Sequence, residues 1–178
     1  MITIQRIRTT HVEYYDFVES LLTSAFPKEE HRELDLQREH TDNNTFFYNN
    51  IIFHNNSPIG FITYWDFDDF YYIEHFAIAP DHRNRGYGRK VLKHIDEKLS
   101  RPIVLEVEVP VTEMNIRRIS FYERLGYKLW EKQYQQPPYR KGGKYIPMYI
   151  MAQGNLDCKK DFSRIKQRLY KDVYGVLV

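Results

Sequence analysis

One stretch of the sequence carries the residue types that bind a phosphate. Residues 79–89 read A-P-D-H-R-N-R-G-Y-G-R and lie between a strand that ends at Pro80 and a strongly amphipathic helix. The first turn of a helix presents unpaired backbone N–H groups and about half a positive charge, and glycines let an anion approach the backbone closely. The arginines add charge. The pattern favours a pyrophosphate-binding loop, with tight packing of strand against helix as the structural alternative.

Two motifs, taken together, resemble those of a known family. R-x-x-G-x-G at 83–88 follows I-A-P at 78–80, and N-I-R-R-I-S-F-Y-E-R-L-G-Y occupies 115–127, one helix and one strand later. The spacing differs from a dinucleotide fingerprint, and the loop lacks the Gly-Lys-Ser/Thr of a P-loop. Both motifs are similar to those of the GCN5-related N-acetyltransferases, the GNAT superfamily, over about residues 58–130.

The resemblance implies acetyl-CoA as co-substrate and no metal. The cofactor would lie where parallel strands at 70–79 and 102–109 splay apart, and the acetyl group would pass directly to an amine in a ternary complex. Tyr122 would contact the cofactor and protonate the departing thiolate, and Asn115 would hydrogen-bond near the pantetheine. The other implied cofactor-binding residues are Phe76, Ala77 and Ile78 through their backbone, and Arg83, Arg85, Gly86, Tyr87, Gly88 and Arg89 around the pyrophosphate. The alternative role for Tyr122 is a structural one, in which its aromatic ring packs in the core.

The reaction also needs a base, because an ammonium group must lose a proton before it can attack. Glu74 is the first candidate, since an unpaired carboxylate in a central strand would be costly and related enzymes often use an acid on this strand. Glu106 and Glu108 share one face of the next strand and compete for the role. Strand alternation predicts that His75 points away from Glu74. The alternative for Glu74 is a structural ion pair or an exposed edge.

Two residues depart from the family pattern. Asn84 replaces the first glycine of the common loop, and we expect the loop to survive because Asn tolerates left-handed backbone angles. Arg118 stands where a small residue usually packs beside the cofactor. We expect it to reach a CoA phosphate or the acceptor.

The surrounding pattern predicts an α/β (α+β) fold in which helices flank a mixed central sheet of about six or seven strands, in the order β-α-(α)-β-β-β-α-β-α-β-β. The charged segment 28–40 is expected to be a second, mostly exposed helix. Residues 1–156 are predicted to form one domain, and 157–178 an amphipathic helical extension. This extension is expected to pack on the domain or on a second subunit of a homodimer.

Composition excludes several classes of protein. The chain has 178 residues, 42% hydrophobic and 28% charged, as expected of a globular domain. It has no apolar run near the roughly 18 residues of a membrane span. Its N-terminus lacks a secretory h-region. A single cysteine, Cys158, favours a reducing, cytoplasmic setting. The net charge of +2 is too small for general electrostatic binding to nucleic acid.

The sequence indicates the identity of the acceptor substrate less specifically than that of the cofactor. Acidic residues near the expected acceptor walls favour a small cationic amine. They are Glu29, Glu30, Glu33, Asp66 and Asp68. A protein lysine or N-terminus is the alternative acceptor. A non-catalytic acyl-CoA-binding sensor is a second alternative, and a nucleic-acid-binding protein with salt-sensitive affinity is a third.

Overall fold

A boundary at the beginning of the fifth strand divides the chain into two units. The structure is a computed structural model that describes residues 1–176, and the first unit comprises Met1–Ile103 while the second begins at Val104. Seven strands and five α-helices among the described residues confirm the mixed α/β class. The single domain over 1–156 stays a prediction.

The first unit contains a four-stranded antiparallel sheet and three α-helices. Its elements are β1 (Ile2–Arg6), α1 (Val12–Ala25), a 3-10 turn (Lys28–Glu30), α2 (Leu34–Asn43), β2 (Phe47–His54), β3 (Ser57–Asp66), β4 (Tyr71–Ile78), a second 3-10 turn (Pro80–His82) and α3 (Tyr87–Lys98). The strands lie in the order β1-β2-β3-β4. A bulge interrupts the last pair, because Thr63 is opposite His75 while Tyr64 is opposite Ile73.

The second unit combines three strands with two α-helices. Its elements are β5 (Ile103–Glu108), α4 (Glu113–Glu123), β6 (Lys128–Gln136), β7 (Ile146–Gln153), α5 (Cys158–Arg168) and a π-helical turn (Leu169–Val173). The strands lie in the order β5-β7-β6, and β6 pairs antiparallel with β7. Their pairing shifts register between Trp130 and Tyr134.

The core of the first unit forms where α1 packs onto the sheet. Val18, Leu21 and Leu22 recur at helical spacing and are buried. They join Ile51 and Phe61 of the sheet in one apolar cluster. Each such side chain contributes about 1.5–3 kcal/mol through removal from water, which fixes the helix on the strands.

The second helix differs from its prediction. The segment 28–40 was expected to be one mostly exposed helix, but α2 begins only at Leu34 and its buried residues are polar, Gln37 and Thr41. The Thr41 hydroxyl donates to the carbonyl oxygen of Gln37 at 2.7 Å, so this buried hydroxyl has its hydrogen-bond partner within the helix. Apolar periodicity gives no signal for such a helix, and Leu36 is 46% exposed.

The C-terminal helix begins at a side-chain cap. The Asp157 carboxylate accepts from the backbone N–H groups of Lys159 and Lys160, each at 3.0 Å. The helix buries Phe162 and Ile165, then widens into the π-helical turn instead of continuing to residue 174 as one α-helix. Its Tyr170 hydroxyl donates to the carbonyl oxygen of Gln135 at 2.5 Å, so the extension contacts β6 of its own unit. Within residues 1–176, no helix meets the length and apolarity needed to cross a membrane.

Candidate active site

The loop from β4 to α3 has the backbone of an anion-binding turn. Asn84 has φ +60° and Gly86 has φ +74°, so both occupy the left-handed region, as expected for the Asn that replaces a glycine. Gly86 is the N-cap of α3. The N–H groups of the first turn of α3 therefore begin directly after a residue without a side chain, which leaves them accessible to a ligand.

The arginines of this loop take different positions. Arg83 folds back, and its Nε donates to the carbonyl oxygen of Ile78 at 2.9 Å, which closes the loop. Arg85 and Arg89 are exposed at the N-terminal end of α3. A phosphate placed at this helix end would meet the helix dipole and two exposed guanidinium groups.

Tyr87 anchors the first turn of α3 to the sheet. Its hydroxyl lies 3.1 Å from Nδ1 of His54 on β2, and the two ring centroids are 4.7 Å apart. Burial lowers the pKa of His54, and the positive charges of the N-terminus, Lys90 and His82 lower it further. The neutral imidazole can then accept from the Tyr87 hydroxyl, so the helix end is held without a charged partner.

The strand that leads into the loop is packed closely on its neighbour. Gly60 on β3 is opposite Ile78, and a Cβ at Gly60 would overlap the carbonyl oxygen of Ala77. Phe76 and Ile78 are half-buried, and Ala77 is buried. Pairing of their backbone with pantetheine stays a prediction.

Glu74 lies in a buried polar network rather than in a solvent-filled cleft. Its side chain is 0% exposed and forms an ion pair with Nη2 of Arg32, whose side chain is 2% exposed. The indole Nε1 of Trp65 donates to the other carboxylate oxygen at 3.1 Å, and Arg32 also donates to Gln37 at 2.6 Å. This arrangement matches the structural ion pair that the sequence analysis left open as the alternative to a base.

The expectation that His75 points away from Glu74 is wrong. Nδ1 of His75 lies 3.9 Å from a Glu74 carboxylate oxygen, and both side chains are buried. The cause is the bulge in β4, where Glu74 is the extra residue and the alternation of faces breaks. Nε2 of His75 donates to the carbonyl oxygen of Glu30 at 2.8 Å, which ties the first 3-10 turn to the strand.

In the second unit, α4 carries the predicted acid. The ring of Tyr122 packs edge-on against Phe121 and Tyr127, with centroids 5.3 and 5.5 Å away. Burial raises the pKa of Tyr122, and the nearby Arg118 charge partly offsets that rise. The hydroxyl therefore stays protonated at neutral pH, which is the state that a proton donor requires.

Two further α4 residues have defined partners. Asn115 donates from Nδ2 to the carbonyl oxygen of Val109 at 3.1 Å, which fixes the connection from β5 to α4. Nη1 of Arg118 lies 3.5 Å from a carboxylate oxygen of Glu108, and both side chains are partly exposed. Contact of Asn115 with pantetheine, and of Arg118 with a CoA phosphate or the acceptor, stay predictions.

Three side-chain donors converge on Glu106, a contact that the sequence did not predict. The Tyr134 hydroxyl donates to one carboxylate oxygen, while Nε2 of Gln136 at 2.5 Å and the Tyr174 hydroxyl at 2.7 Å donate to the other. Tyr134 and Gln136 are two residues apart on β6 and therefore lie on the same face of the strand. This spacing can be read from the sequence and indicates that the two side chains lie close together. Tyr174 follows the π-helical turn, and nothing in the sequence connects it with β5.

The predicted residues thus fall into two groups, each within one unit. Glu74, the backbone of 76–78 and the loop 83–89 follow one another along β4 and into α3. Asn115, Arg118 and Tyr122 follow one another along α4. Asp66, considered as an acceptor-binding acid, instead forms an ion pair with Arg101. Among residues 1–176, no cluster of three or more His, Cys, Asp or Glu side chains is arranged to hold a metal.

The strand, the left-handed turn and the helix N-terminus define an α/β protein with an exposed helix end directly after β4. The family model described as the Acetyltransferase (GNAT) family matches residues 12–127, which is more than half of the chain. The chain belongs to the GNAT family of acetyltransferases.

Individual relatives agree with this assignment. A GNAT-family protein from Bacteroides thetaiotaomicron, assigned as an acetyltransferase, is 57% identical with a TM-score of 0.96, over 98% of this chain and 99% of that one. A GNAT family acetyltransferase from Elizabethkingia anophelis with acetyl-CoA bound is 18% identical with a TM-score of 0.57, over 85% and 97% of the two chains, and shares the fold. YjbC of Bacillus subtilis (strain 168), also assigned as an acetyltransferase, is 35% identical over 66 residues, which span 35% of this chain and 33% of that protein.

Proposed function

We propose that this chain is an acetyl-CoA-dependent N-acetyltransferase that acetylates a primary amine, with a small cationic amine as the acceptor. The observation that carries the proposal is the loop before α3 in a chain of the GNAT family. Its left-handed Asn84 and Gly86, the free amides of the helix end and two exposed arginines fit a pyrophosphate.

Three groups of residues would hold acetyl-CoA. The amides of residues 85–89 would bind the pyrophosphate, the backbone of 76–78 would pair with pantetheine, and Asn115 would hydrogen-bond near it. Bound acetyl-CoA supplies the thioester carbonyl that the amine attacks. The side chain of Tyr122 holds its proton at neutral pH, because burial raises its pKa, and donates that proton to the leaving sulfur.

The role of Glu74 in this proposal is to position rather than to accept a proton. Protonation of Glu74 would remove the carboxylate charge that faces the buried guanidinium of Arg32, which is costly in a low-dielectric interior. Glu74 would instead fix the segment around Arg32 on β4. Glu106 and Glu108, which share one face of β5, are then the carboxylates that can take the proton from the ammonium group.

The test of this function is acetyl-CoA-dependent thiol release with a panel of amines: a polyamine, an aminoglycoside, free amino acids and a lysine peptide. A Cys158→Ser chain serves throughout, so that the protein's own free thiol gives no background. We expect turnover with a small cationic amine. Turnover with the lysine peptide alone would indicate that the acceptor is a protein. Tight acetyl-CoA binding without turnover of any amine would favour a non-catalytic acyl-CoA-binding sensor.

A glycine substitution tests the cofactor loop separately. Alanine at Gly86 must adopt φ near +74°, which costs about 1–2 kcal/mol for a residue with a side chain, so the loop is expected to relax and turn its amides away. We expect the Kd for acetyl-CoA to rise about tenfold, which corresponds to about 1.4 kcal/mol. Calorimetric titration measures this change.

Gly154→Ala is the matched control for that substitution. Gly154 also has positive φ, +93°, but lies between β7 and α5. Both variants should unfold more easily than wild type, and only Gly86→Ala should lose affinity for acetyl-CoA. Equal acetyl-CoA affinity in all three proteins would remove the loop from the cofactor site.

A further inference from the structure

The sheet of the first unit ends at an edge strand. Among residues 1–176, β1 pairs with β2 and with no second strand. The backbone N–H of Ile7 donates to the carbonyl oxygen of Asn49 at 2.9 Å, and at the other end of the strand the carbonyl oxygen of Met1 accepts from the backbone of β2. Hydrogen-bonded residues alternate along an antiparallel strand, so the odd-numbered residues of β1 direct their backbone groups to β2. The backbone groups that point away from the sheet belong to Ile2, Ile4 and Arg6.

The outer edge of β1 carries little protection against a further strand. Edge strands are commonly guarded by proline, by a bulge or by an outward-pointing charge. Residues 2–6 read I-T-I-Q-R, and their pairing with β2 runs in continuous register. The charge of Arg6 is directed to the neighbouring strand, because its Nη2 donates to the carbonyl oxygen of Phe47 at 2.8 Å and its guanidinium lies 3.9 Å from the ring centroid of Tyr48. The outward backbone groups of β1 therefore remain available for hydrogen bonds.

A groove of about 560 Å³ lies beside this strand, between β1 and α3. Ile2 is opposite His54 of β2, and the His54 ring contacts Tyr87 of α3. Residues opposite one another share a face of the sheet, so the even-numbered side chains of β1 lie on the face that carries α3. Ile2 and Ile4 line the groove as half-buried apolar side chains. The charged residues of α3 that line it are Lys90, Lys93, Glu97 and Lys98.

The charge of this groove favours one kind of partner. Three exposed lysines face a single exposed glutamate. A strand added to β1 places alternate side chains on the face that carries α3, where acidic side chains would be attracted to the lysines. A second copy of the chain would bring the same lysines together, because two-fold pairing of β1 with itself puts both α3 helices on one face of the joined sheet. Like charges oppose that pairing, so an acidic segment of a different protein fits the groove better.

We propose that the edge of β1 and the adjoining flank of α3 form a docking site for an extended acidic segment of a partner protein. The segment adds to the sheet beside β1, held by hydrogen bonds to the outward backbone groups of Ile2 and Ile4. Its carboxylates contact Lys93 and Lys98. The site uses neither the loop 83–89 nor any residue of the second unit, so the inference does not depend on the proposed function.

The test is a titration of the isotope-labelled full chain, followed by amide NMR. The probe is a peptide of alternating Thr and Glu, and a peptide of alternating Thr and Gln is its uncharged counterpart. We expect the amide signals of Ile2, Ile4 and Arg6 to shift on addition of the Glu peptide, and those of Thr3 and Gln5 to shift less. The Glu peptide should bind about tenfold more tightly than the Gln peptide, and about 0.5 M NaCl should remove most of that difference.

Two substitutions separate the charge from the strand edge. Lys93→Glu reverses one charge of the groove and should weaken binding of the Glu peptide about three- to tenfold. Lys160→Glu is its matched control, because it reverses an exposed lysine of α5 outside the groove and should match wild type. Ile4→Pro removes an N–H that points away from β2, so β1 should keep its pairing. This variant should weaken both peptides about three- to tenfold, whereas Ile4→Val keeps the N–H and should bind them like wild type.

Several results would overturn the inference: wild type whose β1 amides do not shift with the Glu peptide, equal affinity for the two peptides, or Lys93→Glu that binds the Glu peptide as tightly as Lys160→Glu does. The comparison at Lys93 still decides if Ile4→Pro fails to fold. Shifts of the β1 amides on raising the protein concentration without peptide would put a second copy on this edge. Shifts with an oligothymidylate but not with the Glu peptide would assign the groove to nucleic acid, and either outcome would also refute the inference.

Discussion

Replacing Tyr122 with Phe is expected to lower kcat about 100- to 10,000-fold, the usual range for loss of a positioned proton donor. The substitution removes one hydroxyl and keeps the ring that packs on Phe121 and Tyr127. Among the described residues, that hydroxyl has no hydrogen-bond partner in the protein, so its loss should cost little stability. The Kd for acetyl-CoA and the melting temperature should therefore stay near wild type, while steady-state turnover falls.

The pH profile adds an independent check on the same residue. Because burial raises the pKa of Tyr122 above its usual value of about 10, the protonated acid persists through the neutral range and is lost only at strongly alkaline pH. Wild-type kcat should not decline between neutrality and pH 10 through this group. The residual activity of Tyr122→Phe should lack any alkaline limb that wild type shows above that range.

Tyr127→Phe is the control for a hydroxyl deleted from the same cluster. Tyr127 is 2% exposed and its ring lies 5.5 Å from that of Tyr122. We expect this variant to keep its kcat. If Tyr127→Phe lost activity as severely as Tyr122→Phe, the effect would come from disturbed packing of α4, and the acid would have to be sought elsewhere.

The local elements could be predicted from sequence because their signals are local. The strand expected at 70–79 occurs as Tyr71–Ile78, and the strand expected at 102–109 occurs as Ile103–Glu108. Asn84 was expected to take a left-handed conformation, and its φ of +60° agrees. Each of these predictions depends on spacing or on the backbone preference of a single residue.

The polar networks could not be predicted, because they join residues distant in sequence. Arg32 lies among the charges of 28–40 and resembles a solvated arginine, yet it is buried against Glu74, 42 positions later. The bulge that brings His75 beside Glu74 breaks the alternation from which its direction was inferred. Tyr174 reaches Glu106 across 68 positions. These residues are placed by the need of buried polar groups for hydrogen-bond partners. That need leaves no periodic pattern in the sequence.

Breaking the ion pair between Arg32 and Glu74 is expected to cost about 3–5 kcal/mol of unfolding free energy, because either partner alone is left as a buried charge. Both Glu74→Gln and Arg32→Met should show this loss in urea denaturation. In the double variant the loss should be well below the sum of the two single losses, since both charges of the pair are then removed together. Arg117→Met breaks an exposed pair with Glu113, 2.8 Å long with side chains 75% and 81% exposed, and should change stability by less than about 1 kcal/mol.

The same variants decide what Glu74 does in the reaction. If Glu74 positions the segment around Arg32, Glu74→Gln should raise KM for the amine at a temperature where it remains folded, and Arg32→Met should do the same. If Glu74 is instead the base, Glu74→Gln alone should collapse kcat and remove the acidic limb of the pH profile, whereas Arg32→Met should keep that limb. A Glu74→Gln protein with wild-type stability and collapsed kcat would contradict the structural role, because a buried guanidinium cannot lose its counter-charge without cost.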